Sequence, residues 1–140
     1  MKILLILLTL SYALMGAVAK DAAFALDFED DYQTALAKAK QANKPLMLVV
    51  VQDPCPYCDR LVEKTFEDAK VKEELENFVA LIVDKRGDFP DEFKGTPVPM
   101  TYFINAKIEK STYKNLGYLN AVDFAKMLKG VKNLHPKKIR

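Results

Sequence analysis

Several residue types are scarce in this chain. It has no tryptophan, five glycines, one histidine and two cysteines among its 140 residues. This composition gives no sign of internal repeats or low-complexity segments. Positive and negative residues nearly cancel, giving a formal net charge of +2 at pH 7, so nucleic-acid binding is not predicted. Half of the residues are hydrophobic, and the length is enough for one compact domain.

The N-terminal segment has the pattern of an export signal. Lys2 supplies a positive charge, and residues 3–19 are uncharged. Residues 17–19 form an A-x-A cleavage pattern, and residues 23–25 form a second one. We predict a signal peptide over residues 1–19, with the second cut site as an alternative. An uncleaved membrane anchor is the less favoured alternative, because the uncharged run is at the short limit for crossing a bilayer. The folded part is then periplasmic or secreted.

The two cysteines stand three positions apart, between a predicted strand and a predicted helix. The apolar, branched run at residues 46–51 is typical of a strand covered on both faces. Apolar residues then recur at helical spacing over residues 61–66. Cys55 is therefore predicted at a helix N-terminus, where free N–H groups and the positive dipole end favour a thiolate. Pro56 suits the first turn, because its missing N–H has no partner to lose there.

The cysteine pair admits three interpretations. A structural disulfide is possible in an oxidising compartment. However, a loop of about four residues gives only roughly 2 kcal/mol on the loop-entropy model, against about 3 kcal/mol for fifteen residues. A metal site is the least favoured interpretation, because His135 is the one histidine that could join the cysteines. We therefore predict a redox role for Cys55 and Cys58, with no metal and no cofactor.

The rest of the chain alternates between helical and strand patterns. A first helix, capped by Asp30 or Asp31, should run to about residue 42, and Asn120 should cap the last helix. A crossover between two strands predicts a parallel pair, and the last two strands form a hairpin. We predict an α/β domain over residues 20–131 and a solvated basic tail over residues 132–140. The predicted strands cover residues 46–51, 78–83, 100–104 and 108–116, with short helical pieces at 71–78 and 91–93.

With these elements in place, the chain resembles the thioredoxin superfamily from about Asp27 to Val131. Three features carry the resemblance: Cys55-Pro56-Tyr57-Cys58 after a buried strand, Val98-Pro99 just before the third strand, and a closing hairpin and helix separated by Gly117. The resemblance implies a thioredoxin-like fold, with a central mixed four- to five-stranded sheet and helices on both faces. It also implies a cis peptide bond at Val98–Pro99. Residues 35–45 are similar to the leading helix of exported thioredoxin-like proteins.

The sequence departs from the family pattern in two places. The Pro56-Tyr57 dipeptide of this CPYC motif is typical of glutaredoxins, but residues 105–107 lack the glycine pair with which glutaredoxins bind glutathione. Val49 stands where thioredoxins have a buried acidic residue, which leaves the proton acceptor for Cys58 open. Asp53 and Asp59 flank the motif, and we expect both to be solvated charges.

The resemblance implies an exported thiol:disulfide oxidoreductase, with Cys55 as nucleophile and Cys58 as resolving cysteine. Val98, Pro99 and Tyr57 are the implied substrate-binding residues. Expected partners are protein disulfide substrates and a membrane electron-donor protein, and we expect a monomer. The reducing direction is favoured because the chain lacks the helical insertion of the strongly oxidising branch and the dimerisation domain of the isomerases. The alternatives are a non-catalytic binding or chaperone module with a structural disulfide, and a reductase dedicated to one partner.

Overall fold

A computed structural model of the chain describes residues 17–135. They form a mixed four-stranded sheet in the order β2-β1-β3-β4, with helices packed against it. The predicted α/β, thioredoxin-like fold is confirmed. The helices are α1 (Ala17–Leu26), α2 (Tyr32–Ala42), α3 (Pro56–Arg60), α4 (Ala69–Leu75) and α5 (Ala121–Leu134), and the strands are β1 (Leu46–Val51), β2 (Val79–Asp84), β3 (Met100–Asn105) and β4 (Lys110–Leu116).

The sheet is built around β1, whose six residues are all buried. It runs parallel to β2, with Leu46 opposite Val79, and antiparallel to β3, with Val49 opposite Thr101. Successive side chains of a strand point to opposite faces. One face carries a core that includes both cysteines and Phe66, which we call the cysteine-side core. The continuous apolar run thus serves two cores at once, as the sequence predicted.

Side-chain caps fix the ends of the helices. Asp31 accepts a hydrogen bond from the Thr34 N–H at 2.7 Å, and Asn120 accepts one from the Asp123 N–H at 3.0 Å. Both caps were predicted from the sequence and are confirmed. At the other end of α2, Asn43 adopts a left-handed conformation (φ 52°), which asparagine tolerates better than most residues. These caps define where the chain turns into and away from the sheet.

Two features of the elements differ from the sequence pattern. Helix α3 continues into a π-helical turn over Leu61–Thr65, with the Phe66 N–H donating to the Leu61 carbonyl at 3.0 Å. The last strand begins at Lys110 rather than at residue 108, because Glu109 (φ 54°) is still part of the preceding turn. A short 3₁₀ turn at Asp91–Phe93 occupies the predicted helical piece.

Helix α1 crosses the predicted end of the signal peptide. Residues 1–16 of that predicted segment, and 136–140 of the basic tail, lie outside the described residues. Within α1, Ala19 and Ala23 are buried in the cysteine-side core, and the Ala23 carbonyl accepts the Phe28 N–H at 2.8 Å. Glu29 then pairs with the outer edge of β2 at Leu81. In the part of the chain described, no helix is long and apolar enough to cross a membrane.

Candidate functional site

The two cysteines form a disulfide at the beginning of α3. Cys55 is the N-cap of this helix in an extended conformation, and Pro56 is its first residue. The Cys55 Sγ atom accepts a hydrogen bond from the Cys58 N–H at 3.2 Å. Both residues are largely buried: 7 % of Cys55 and 2 % of Cys58 is exposed. Cys55, which the sequence predicted at the helix entrance, is therefore the more exposed residue of the two.

This position favours a negative charge on Cys55 once the pair is reduced. The first N–H groups of a helix have no partner within the helix, and they carry the positive end of its dipole. One of these groups, the Cys58 N–H, already points at the Cys55 Sγ atom. A hydrogen bond to a charged acceptor is roughly twice as strong as one to a neutral acceptor. The geometry can thus stabilise the thiolate form of a reduced Cys55.

The residues predicted to bind substrate lie on two segments, the loop before β3 and the first turn of α3. Val98 packs against the cysteine-side core, and its peptide bond to Pro99 is cis. The Pro99 carbonyl accepts the Gly117 N–H at 2.8 Å, which fixes the loop against the end of β4. Tyr57 is 60 % exposed, and the Arg60 guanidinium carbon lies 5.8 Å from its ring centre. A second cis bond, Asp53–Pro54, immediately precedes the motif and was not predicted.

Residue 49 of β1, where the resemblance to thioredoxins implies a buried acid, carries no carboxylate. Val49 is fully buried there, and its neighbour Thr101 is a buried residue whose hydroxyl has no hydrogen-bond partner among residues 17–135. Asp53 and Asp59 are both exposed, as predicted. Within those same residues, no group of three or more His, Cys, Asp or Glu side chains is arranged to hold a metal ion.

A cavity of about 240 Å³ lies beside Cys58, between α1 and α3. The sequence did not predict this cavity, because the small residues of α1, which forms its outer wall, were interpreted as export cleavage patterns. The sequence signal for this helix was the recurrence of small apolar residues at helical spacing. The lining comprises Val18, Asp21, Ala22 and Ala25 on α1, Val51 and Gln52 at the end of β1, and Cys58, Asp59, Val62 and Glu63 on the α3 side.

The sheet order and the disulfide at the start of a helix define a thioredoxin-fold protein with a Cys-x-x-Cys pair. The chain belongs to the thioredoxin-like domain family, whose model matches residues 32–132. The resemblance predicted from the sequence is confirmed.

Known proteins with similar sequences and structures agree with this family. The chain is 42 % identical over 55 residues to the thiol:disulfide interchange protein DsbD of Vibrio vulnificus, a match that covers 39 % of this chain and 9 % of DsbD. The chain thus spans less than a tenth of the length of that relative. A thioredoxin from Thermus thermophilus superposes with a TM-score of 0.64 at 24 % identity, covering 74 % of this chain and 85 % of that one. The oxidised C-terminal domain of Neisseria meningitidis DsbD gives a TM-score of 0.57 at 17 % identity, covering 74 % and 97 % respectively. At these identities the superpositions show the shared fold.

Proposed function

We propose that this protein is an exported thiol:disulfide oxidoreductase that reduces protein disulfides. The observation that carries the proposal is the Cys55–Cys58 disulfide at the entrance of α3, with a helix N–H aimed at the Cys55 sulfur. The similarity to a thiol:disulfide interchange protein supports the same chemistry. The signal pattern over residues 1–19 supports export.

The proposed reaction starts from the reduced pair. The Cys55 thiolate attacks one sulfur of a substrate disulfide, forming a mixed disulfide and releasing the other substrate sulfur as a thiolate. Cys58 then attacks the Cys55 sulfur, which closes the Cys55–Cys58 disulfide and releases the second substrate thiolate. Two electrons pass from the protein to the substrate. The greater exposure of Cys55 supports its assignment as the nucleophile and that of Cys58 as the resolving cysteine.

The helix position affects the redox potential more than the rate of attack. For any thiol, a fall in pKa from about 8.5 to about 7 raises the thiolate fraction at pH 7 roughly 15-fold. The intrinsic nucleophilicity falls roughly 5-fold over the same change. The net gain in rate is about 3-fold. The same stabilisation of the thiolate favours the reduced protein and makes Cys55 a good leaving group.

Val98, Pro99 and Tyr57 form the proposed contact surface for the substrate. Val98 lies just before β3, where we propose that its backbone pairs with an extended substrate segment. The exposed Tyr57 ring supplies an apolar rim beside the disulfide. No cofactor is needed for this exchange, and a membrane protein is the proposed electron donor.

Replacement of the cysteines tests the reaction. Cys55→Ser should abolish the catalysed reduction of insulin with dithiothreitol as the electron donor, because no nucleophile remains at the helix entrance. Cys58→Ser should instead accumulate disulfide-linked partners at Cys55, visible as reducible bands on non-reducing gels. Equal and negligible turnover by the wild type and Cys55→Ser would contradict the enzyme and favour a binding module, which the burial of both cysteines would also suit.

The direction of electron flow is tested by the redox potential. A reductant should have a potential close to that of thioredoxin, about −270 mV. Equilibration with glutathione buffers, followed by alkylation and mass measurement, gives this value. A potential near −120 mV, at the strongly oxidising end, would contradict the reducing direction but not the exchange chemistry.

A further inference from the structure

Arg60 connects the two segments that carry the proposed substrate contacts. It is the last residue of α3, and Tyr57 lies in the first turn of the same helix. The Arg60 guanidinium carbon lies 5.8 Å from the ring centre of Tyr57 and 5.5 Å from that of Tyr118. Both distances are within the roughly 6 Å at which an aromatic face attracts a cation. One side chain therefore contacts a residue between the two cysteines and a residue of the loop after β4.

The loop that carries Tyr118 is bonded to the segment before β3. Tyr118 follows Gly117, whose N–H donates to the Pro99 carbonyl at 2.8 Å. Tyr118 also packs against the cysteine-side core, as Val98 does. These contacts hold the loop of Tyr118 against the segment that contains Val98 and Pro99. Arg60 thus lies where the two parts of the proposed contact surface meet.

The positive charge of Arg60 is available to a ligand. The side chain is exposed, and it has no ion-pair partner among residues 17–135. A guanidinium can contact aromatic rings and still bind a carboxylate through two parallel N–H···O hydrogen bonds. Because the two rings already restrict the Arg60 side chain, less conformational freedom is lost when an anion binds.

We propose that Arg60 is a specificity-determining residue that binds a carboxylate of the substrate beside the disulfide being reduced, an assignment that rests on the proposed function. The preferred substrates are then protein disulfides with an aspartate or glutamate close to the attacked cysteine. The carboxylate binds and does not react, so the exchange between Cys55, Cys58 and the substrate sulfurs is the one given above. The alternative is that Arg60 only positions the loop of Tyr118, which would affect all substrates alike.

A pair of disulfide peptides measures this preference. The peptides are identical except that one has glutamate and the other glutamine next to each cysteine. The rate constant for oxidation of the reduced protein by each peptide is obtained by acid quenching, alkylation and mass measurement. The ratio of the two rate constants cancels any change in the reactivity of Cys55. The same ratio measured with dithiothreitol in place of the protein corrects for the intrinsic reactivity of the peptides.

In the wild type, we expect the corrected ratio to favour the glutamate peptide by about 3- to 5-fold, which is the upper range for an exposed ion pair. Arg60→Gln should abolish this preference, because the side chain keeps much of its length but loses the charge. Arg60→Lys should retain only part of it, because lysine lacks the planar pair of donors. Both variants should keep the melting temperature of the wild type, since residue 60 is exposed.

Lys64→Gln is the matched control. Lys64 is also exposed, and it lies about one turn further along the same helical segment, in Leu61–Thr65. It has no contact with an aromatic ring among the described residues. Its replacement removes the same charge and should retain most of the preference in about 0.15 M salt, where charges more than about 8 Å apart are largely screened.

The results that would overturn the proposal are distinct from one another. A wild type without preference for the glutamate peptide would do so, as would a preference that survives Arg60→Gln. Equal slowing of both peptides by Arg60→Gln would show that Arg60 only positions the loop. Loss of the preference in Lys64→Gln as well would assign it to the general charge of the surface. Failure of the wild type to reduce insulin, with the peptide preference intact, would count against the proposed function and not against recognition by Arg60.

Discussion

At the residue scale, Cys55 combines two roles that are usually separate. Helix N-caps are normally Ser, Thr, Asp or Asn, whose oxygens accept the first free N–H groups. Here a sulfur takes that place and accepts the Cys58 N–H. Sulfur is a weak acceptor when neutral and a better one when charged. The cap is therefore strongest in the state that the exchange reaction uses.

Thr101 is a residue whose replacement should stabilise the protein. Its hydroxyl is buried without a hydrogen-bond partner in the described part of the chain, and an unsatisfied buried polar group costs about 1–3 kcal/mol. Thr101→Val keeps the branched shape and removes the hydroxyl. We expect the free energy of unfolding to rise by about 1 kcal/mol, measured by urea denaturation of the oxidised protein.

Thr65 provides the matched control. It is also fully buried, but its hydroxyl donates to the Leu119 carbonyl at 2.6 Å. Thr65→Val should lower the free energy of unfolding by about 1 kcal/mol or more, because it leaves that carbonyl unpaired. A destabilising Thr101→Val would show that the Thr101 hydroxyl has a partner after all.

The role of a residue could be predicted from the sequence where its neighbours in the chain form a recognisable pattern. The two cysteines, Pro56 and Asn120 have such signals in their spacing or in the residues just after them. Thr101 has none, because its lack of a partner depends on the strand register that places it opposite Val49. The cavity beside Cys58 was not predicted for a related reason, since the elements that line it are far apart in the sequence.

At the element scale, the packing of helix α1 against the core can be tested by two substitutions. Ala23, on its core-facing stripe, is 2 % exposed, whereas the adjacent Phe24 is 91 % exposed. Ala23→Asp would bury an unpaired carboxylate, which costs on the order of 3 kcal/mol. Phe24→Asp should change stability by only about 0.5 kcal/mol. Thermal unfolding of the two variants measures the difference, and equal melting temperatures would show that α1 does not pack as described.

The elements predicted well are those with one dominant pattern. The apolar run of β1 and the capped helices α2 and α5 appeared at nearly the expected residues. Helix α1 did not, because small apolar residues satisfy both an export cleavage pattern and a helix packed closely on a core. The π-helical turn of Leu61–Thr65 also has no sequence signal, since its hydrogen bonds differ from those of an α-helix by one residue.

At the scale of the whole molecule, His135 joins the last helix to the sheet. Its Nε2 atom lies 2.9 Å from the Thr112 hydroxyl of β4, and partial burial lowers the pKa of this histidine below 6.5. The unfolded chain therefore takes up a proton at a higher pH than the folded protein does. The corresponding stability is complete above pH of about 6.5 and is lost as pH falls through the lower, folded-state pKa.

This pH dependence can be measured cleanly, because His135 is the single histidine of the chain. Its ring-proton shift, followed by NMR, should titrate below the ordinary value of about 6.5. His135→Gln should reduce the loss of stability between about pH 6.5 and 5 relative to the wild type. A titration at or above the ordinary value would contradict the described burial.

The topology of the whole molecule could be predicted because few arrangements satisfy the rules for connecting strands. The direction of electron flow and the identity of the partners could not. Both depend on small differences in thiolate stabilisation and surface shape, which the spacing of Cys55 and Cys58 does not encode.

The two outer strands of the sheet differ in how they are protected against unwanted assembly. Glu29 covers the rim of β2 with backbone hydrogen bonds to Ala80 and Ile82. The rim of β4 carries Lys110 and Lys114 and lies next to a register shift in its pairing with β3. Lysines and bulges disfavour the docking of a foreign strand. The two edges of the described sheet thus offer no ready template for fibre growth.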